Sequence, residues 1–485
     1  MTRRALLLLV PVYACLLTLA HAGEIIRFDA GPQARSDVVL ANVPVKALVT
    51  EFLDPGNTGL GKSVAYLAWR EILTAISDQA GAGVILARSP GDRRLTDLLE
   101  QAYHEAAVRI AREQHASMAV WGAVNAAGDD VYVSTYLSIL PEAAGMQLKL
   151  RLAGEPPLPA GLEAGIERTN FNFPPAETTR AQLFQRPVVT RQDAVLRAAA
   201  DPSSPSLGRA PKAKALAAVD MDKGWFKIRL AGGRAAYVDN SMVDVPPPTV
   251  DAQVKIGLAK SPAARPGASM ALVGSYKVLD MRYVERKGLW YELAVNDTRG
   301  WVPASQVRPR FSLPMVHFVA GLYRYQLKRY DDAQREFTQY ATAPEAAADN
   351  ASLATAYQLA GASMLLAKRT VFEASPAALE QFSKAVEVTP YDPLAYSLRA
   401  LSSLALRRQA GTALTDLEQA LRLDPDNATA ARITGMLERE LKSDHGTLKQ
   451  MLEDSRQPAL RLRLDDMVRR YPAVAKVVQQ EQPAM

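Results

Sequence analysis

Apolar and polar positions change period several times along this chain. Val45 to Phe52 is a short apolar run of strand length. Leu60, Val64, Leu67, Ala68, Ile72, Ala75 and Ile76 then recur at helical spacing and predict a helix over 60–77. Gly83 to Ala87 reads as a second buried strand, and Thr96 is placed to cap a second helix whose face is Leu99, Ala102, Tyr103, Ala106 and Ile110. Met118 to Val124 is a third strand. After a turn at Gly128-Asp129, Val131, Val133, Thr135, Leu137 and Ile139 alternate with Tyr132, Ser134, Tyr136 and Ser138. Leu148, Leu150 and Leu152 alternate in the same way with Gln147, Lys149 and Arg151, so these two segments are expected to be antiparallel strands with unlike faces. Residues 24–153 therefore predict a small α/β sandwich domain.

Proline punctuates the middle of the chain, because it fixes φ and cannot donate to a ladder. Glu155-Pro156-Pro157-Leu158-Pro159 opens a Pro-rich linker, 154–187, that runs past Pro174-Pro175; Pro246-Pro247-Pro248 is a shorter break. Between and after these breaks the chain repeats itself. Gly224-Trp225-Phe226-Lys227-Ile228 matches Leu289-Trp290-Tyr291-Glu292-Leu293 at an offset of 65, and Ala236-Tyr237-Val238 matches Gly300-Trp301-Val302 at 64. Ser241 and Val243 match Ser305 and Val307 at that second offset, the one-residue slip falling across a turn. From residue 314 the pattern becomes helical and repeats again. Ala378, Phe382, Ala385 and Pro390 recur 35 residues later as Ala413, Leu417, Ala420 and Pro425. Ala333, Phe337 and Tyr340 lie 45 before the first set, which predicts a loop of about ten extra residues. Gly321, Gly361 and Ala400 supply small residues where paired helices touch.

These patterns carry three resemblances. The order Leu48-Val49-Thr50-Glu51-Phe52, a helix after a Gly-rich turn, Gly83 to Ser89, a helix ending in Ala111 to Val124 and a strand pair after Gly128-Asp129-Asp130 resembles the N-terminal domain of TolB and related envelope proteins of the curli-secretion-channel type. That likeness implies an assembly domain of a bacterial envelope. The Trp-containing units resemble bacterial SH3-like domains, giving SH3-like domain 1 over 188–246 and SH3-like domain 2 over 250–310; the second copy keeps Trp301 where the first has Tyr237. Residues 314–440 resemble three tetratricopeptide (TPR) repeats, and the amphipathic segments of 441–485, with Leu448, Met451, Leu452, Leu460, Leu464, Met467 and Val468, are expected to cap the open end of the stack. The fold class expected is multidomain: α/β sandwich, two SH3-like β-barrels and an α-helical TPR solenoid.

Composition changes this picture mainly at the N-terminus. Arg3 and Arg4 precede an apolar run from Ala5 to Ala20, followed by Ala20-His21-Ala22, which is the form of a signal peptide over 1–22. Cys15, the only cysteine, leaves lipidation open as an alternative to cleavage after Ala22; once residues 1–22 are removed there is no thiol for disulfides, nucleophiles or thiolate metal sites. Two of the six net positive charges belong to Arg3 and Arg4, and the other basic residues form no long run, so nucleic acid is not an expected partner. No second segment is apolar enough for a transmembrane span. The expected location is the periplasm.

One motif carries candidate chemistry. Gly56-Asn57-Thr58-Gly59-Leu60-Gly61-Lys62-Ser63 fits GxxxxGK[ST] between a strand and a helix, where loop amides and Lys62 would cradle phosphates and Ser63 would hold magnesium. Against it, the second strand ends in Ala87-Arg88 rather than an aspartate, the strands turn antiparallel, and an exported chain leaves ATP behind. His104 and His115 share a helix but stand about 16 Å apart at about 1.5 Å per residue, too far for one metal. With His317 and His445 they are read as surface histidines, and Asp129-Asp130 and Asp331-Asp332 as turn residues. Trp225, Trp290 and Trp301 are read as core.

No catalytic, cofactor or metal site is expected; the protein reads as a non-catalytic periplasmic interaction scaffold, not an enzyme. Its partner is an envelope protein held in the TPR groove by Tyr325, Gln326, Thr355, Gln358, Ser397 and Leu401, the helix-A residues whose register faces the concave side. Two alternatives stand: a peptidoglycan-binding cell-wall protein acting through the SH3-like pair, and a nucleotide-binding protein using Gly56–Ser63. The leader reading predicts that the chain recovered from an envelope fraction begins at Gly23. N-terminal sequencing checks this, and an acylated Cys15 would replace it.

Overall fold

The computed structural model describes residues 25–29, 43–76, 82–87, 100–140, 148–151, 163–165, 168–262, 264–284, 288–367, 371–406, 410–442 and 458–480. The leader, Thr96, Leu99, His445 and the apolar positions 448–452 lie outside them. The chain divides into two compact units, residues 1–144 with 175–316 and residues 145–174 with 317–485.

The first unit begins with a sheet of six strands: β1 (Ile25–Asp29), β2 (Val45–Thr50), β3 (Ala82–Ala87), β4 (Met118–Ala127), β5 (Asp130–Ile139) and β8 (Asn170–Thr179, in this unit from Pro175), in the order β1-β3-β2-β4-β5-β8. β2 runs parallel to both β3 and β4, and all six of its residues are buried, as a strand covered on two faces must be. Helix α1 (Leu60–Ala75) connects β2 to β3, and α2 (Glu100–Glu113) ends before β4. α2 turns Tyr103, Ala107 and Ala111 inward, a stripe one residue round from the predicted one. β4 and β5 form the expected hairpin about Gly128.

Two expectations fail here. The strand at Leu148–Leu150 does not join this sheet: β6 (Lys149–Arg151) pairs with β7 (Glu163–Gly165) and belongs to the second unit. Alternation shows that a segment is a strand but not which strand it meets. The linker over 154–187 likewise contains β7, β8 and α3 (Arg180–Phe184), which Thr179 opens with a reciprocal capping box to Gln182.

The first copy of the internal repeat contributes β9 (Pro187–Thr190), β10 (Ala194–Arg197), β11 (Ser206–Ala210), β12 (Ala215–Asp222), β13 (Trp225–Arg229), β14 (Ala235–Asp239) and β15 (Val243–Asp244), in the order β11-β10-β14-β13-β12-β9-β15. The second contributes β16 (Thr249–Ala259), β17 (Pro266–Val284), β18 (Gly288–Val295), β19 (Thr298–Pro303) and β20 (Arg308–Arg310), in the order β17-β18-β19-β16-β20. There β17 pairs with both β16 and β18, and β16 also meets β19, which closes a small barrel. The internal repeat is real at the level of register. β12 pairs with β13 as Asp220↔Lys227, Met221↔Phe226 and Asp222↔Trp225; β17 pairs with β18 as Asp280↔Glu292, Met281↔Tyr291 and Arg282↔Trp290. Both copies carry a bulge at the aspartate, whose carboxylate accepts from the next residue's amide, Met221 N at 2.8 Å and Met281 N at 2.7 Å. Trp290 and Trp301 are core; Trp225 is only half-buried, which corrects its assignment.

In the second unit the helices are α4 (Met315–Gln326, in this unit from His317), α5 (Tyr330–Ala341), α6 (Asn350–Ala367), α7 (Val371–Val388), α8 (Pro393–Ala405), α9 (Ala410–Leu423) and α10 (Ala428–Lys442). They stack as consecutive antiparallel hairpins, a region resembling TPR repeats. A Cβ at Gly321 would lie 2.7 Å from the Phe337 ring, and one at Gly361 2.6 Å from Phe382. Only glycine lets those rings seat against helix A. The ten extra residues are not a loop. They lengthen α6 and α7 to 18 residues each and fill the turn at Pro344–Ala348. α11 (Pro458–Arg470) and α12 (Pro472–Gln480) pack on α10, with Leu464, Met467 and Val474 buried.

Fourteen of the sixteen residues of α1 are buried, including a polar face that the sequence pattern left to solvent. Tyr66 Oη donates to the Asn240 carbonyl at 2.6 Å, Arg70 pairs with Asp244, and the Gly224 amide donates to Ser63 Oγ at 3.2 Å. The Glu71 carboxylate accepts from Arg186 Nη1 at 3.3 Å, from the Ser312 amide at 3.1 Å and from the Leu313 amide at 3.2 Å. Burial pushes the Arg186 pKa down, and Glu71 opposes that shift. Removing one member of a buried pair leaves the other charge uncompensated. Glu71→Ala is expected to destabilise the first unit by about 3–5 kcal/mol; urea unfolding checks this, and a change under about 1 kcal/mol would contradict the network's role.

Candidate functional site

The Gly56–Ser63 loop has the strand–turn–helix context of a phosphate cradle, but its amides are already taken. Asp54, two residues before the motif, accepts from the Thr58 amide at 3.1 Å, from Thr58 Oγ1 at 3.1 Å and from the Gly61 amide at 3.4 Å. A carboxylate standing where a phosphate would sit repels one. Ser63 Oγ donates to the Gly59 carbonyl at 3.2 Å as well as accepting from Gly224. The glycine at 61 is needed for another reason: a Cβ there would lie 2.2 Å from the Phe52 carbonyl oxygen. The motif's residue types thus build the seat for the β12–β13 turn. Glu51, Lys62, Tyr66 and Asn240 line a cleft with room for little more than a water molecule.

Among the histidines, His104 stacks on Trp121 with ring centroids 5.4 Å apart and has Nε2 3.0 Å from Ser138 Oγ; Trp121 in turn stacks on Tyr136 at 4.2 Å. His115 ends α2 with φ of 52°. His317 is not a surface residue. It is buried with Nδ1 2.8 Å from Glu336 Oε2, while Arg324 Nη1 donates to Glu336 Oε1 at 2.6 Å.

The six groove residues fall on helix A of the three hairpins, but five are buried. Tyr325 meets Tyr330 edge-on at 5.5 Å; Thr355 Oγ1 donates to the Ala351 carbonyl; Gln358 Nε2 donates to Asp392 at 2.5 Å; Ser397 Oγ donates to the Pro393 carbonyl; Leu401 is fully covered. Gln326 alone is half-exposed. The other five are not available to a partner, because helix A is packed on both sides.

What the helices do hold is a piece of the same chain. Phe171 and Phe173 are buried while Asn172 between them is exposed, the alternation of an extended strand. The Phe171 ring lies 5.0 Å from Phe318; the Phe173 ring lies 5.4 Å from Phe318 and 5.6 Å from Tyr340. Phe318 also meets Phe337 at 5.7 Å. Ser352 Oγ donates to the Asn172 carbonyl at 3.1 Å, and Arg168 lies over the Phe171 ring. Sequence reasoning missed this site inside a presumed linker. Its signal was two phenylalanines at alternate positions followed by Pro174-Pro175.

No protein-family description and no curated protein matches this chain. Solved structures match it in part. NlpC2 from Trichomonas vaginalis shares 10% identity over 27% of this chain and 49% of its own, with a TM-score of 0.14. NlpC1 from the same organism shares 8% over 27% and 48%, with a TM-score of 0.15. A thermophilic TPR protein of Thermus thermophilus shares 23% over 35% of this chain and 92% of its own, with a TM-score of 0.22. The chain spans about half the length of the two NlpC structures. Overlaps this limited carry no functional argument.

Burial raises the Glu336 carboxyl pKa, but the His317 hydrogen bond and the Arg324, His317 and Arg335 charges outweigh it and hold the group below its ordinary value. A depressed carboxyl contributes stability that is full above the unfolded glutamate pKa of about 4.3 and is lost as pH falls through the folded value. Glu336→Gln is expected to cost about 1–3 kcal/mol at pH 7, the difference from wild type shrinking as pH falls through the folded value. Urea melts across that range check the sign.

Proposed function

We propose that this protein is a non-catalytic interaction scaffold of the bacterial envelope, exported to the periplasm, whose helical unit holds extended segments of envelope proteins. The observation that carries this reading is Phe171–Phe173 seated on the first helical hairpin: the stack already binds one extended segment through paired aromatic rings and a backbone carbonyl. Helical repeats present continuous surfaces well suited to such segments. In this reading the small barrel and the first SH3-like segment serve as a spacer.

The cell-wall alternative has weaker support, because Trp290 and Trp301 are buried and only the half-buried Trp225 would meet a glycan. The nucleotide alternative is opposed by Asp54 in the loop.

Photo-crosslinking in cells tests the scaffold reading with the full chain. A photoreactive residue replaces Tyr391 or Leu462 on the helical unit, exposed by 74% and 65%, or Val273 on β17, exposed by 72%. The same envelope protein is expected as an adduct from the helical positions. Adducts from position 273 alone, together with co-sedimentation on purified sacculi, would overturn the scaffold reading in favour of wall binding.

A further inference from the structure

The seat of Phe171–Phe173 has features of a recognition site rather than of ordinary core. Core side chains come from elements that must pack for the unit to exist. Here the rings come from the first residues of strand β8 rather than from a helix, and the seat's own rings meet without them: Phe318 lies 5.7 Å from Phe337 and 5.3 Å from Tyr340. The segment's contacts are those of a bound peptide. Two alternate side chains enter the aromatic cluster, the intervening Asn172 side chain faces out, and one hydroxyl reads the backbone through the Asn172 carbonyl. The sequence prepares this shape in advance. A residue before proline is confined to extended conformations, so Pro174 restricts Phe173 and Pro175 restricts Pro174, which reduces the ordering needed on docking.

We propose that the surface of Phe318, Phe337, Tyr340 and Ser352 recognises extended segments carrying aromatic side chains at alternate positions, that Phe171–Phe173 fills it in the resting chain, and that a partner protein engages by displacing this segment with an aromatic-x-aromatic strand of its own. This rests on the scaffold reading and names the partner's chemistry. A tethered segment competes at an effective concentration of about millimolar, so the site responds only to partners that add contacts beyond the two rings.

The test titrates the full-length protein into a fluorescein-labelled synthetic peptide with the sequence of residues 168–175, followed by fluorescence anisotropy. Phe171→Ser/Phe173→Ser is expected to bind the peptide at least about tenfold more tightly than wild type, because the internal competitor is gone. A peptide with serine at both phenylalanine positions is expected not to bind. Equal binding to wild type and variant, or binding of the serine peptide, overturns the proposal. If the double variant loses its cooperative urea transition, Phe173→Ser alone replaces it; a smaller gain is expected, and no gain overturns the proposal. Crosslinks from positions 391 and 462 report on the scaffold separately. Adducts there combined with no peptide gain leave the scaffold and remove the displaced segment.

Discussion

The first unit depends on one buried carboxylate. Glu71 sits in the middle of α1, nearly sealed from solvent, and its oxygens are met by Arg186, just after α3, and by the amides of Ser312 and Leu313, just after the closed barrel. A charge in that position is tolerable only with all its partners in place. Two stretches distant in sequence are therefore required to converge on one side chain. Arg70 with Asp244 and Tyr66 with the Asn240 carbonyl extend the same face of α1 onto the first SH3-like segment. The α/β sheet and the first β copy share one compact unit, so a boundary read from composition does not coincide with a boundary in contacts.

Much of this was legible, and the parts that were not share a cause. Periodicity identified α1, β2, β3, β4 and β5, and the repeat offsets identified the duplicated β segments and the helical hairpins. Ser63, Tyr66 and Arg70 recur at helical spacing on α1, so a second buried face was written in the sequence; polar residues conceal it, because a helix with a polar stripe is ordinarily a surface helix. The repeated Asp-Met bulge was visible too, at an offset of 60 rather than 65, since the second copy lengthens the hairpin between its first two matched strands. The GxxxxGK[ST] pattern misleads for a different reason. Spacing specifies a turn that exposes amides, but not what those amides bind, and Asp54 lies just outside the pattern.

The groove residues show the limit of register arguments. Tyr325, Thr355, Gln358, Ser397 and Leu401 were assigned to a concave face from helical register alone, yet burial depends on what lies against a helix. Phe171 and Phe318 are 147 residues apart, and no local signal joins them. Hydrophobic pattern reports that a side chain will be covered; it does not report by which part of the chain.

Proline is where that distinction matters most. Both Pro-rich stretches were read as joints, and where the structure describes them they make specific contacts. Pro246 and Pro247 are buried, and the Pro248 carbonyl accepts from the Val278 amide at 3.2 Å, which fixes the connection between the SH3-like copies. Pro174-Pro175 stands within β8, directly after the two rings that dock on α4 and α5. A residue that removes backbone freedom makes a poor hinge and a good guide. Fixing φ before docking lowers the entropy lost on docking. The same stiffness that makes a proline run look like a boundary in sequence makes the segment before it a ready ligand, so presumed linkers rich in proline and aromatic residues are sound places to look for a chain's own internal partner.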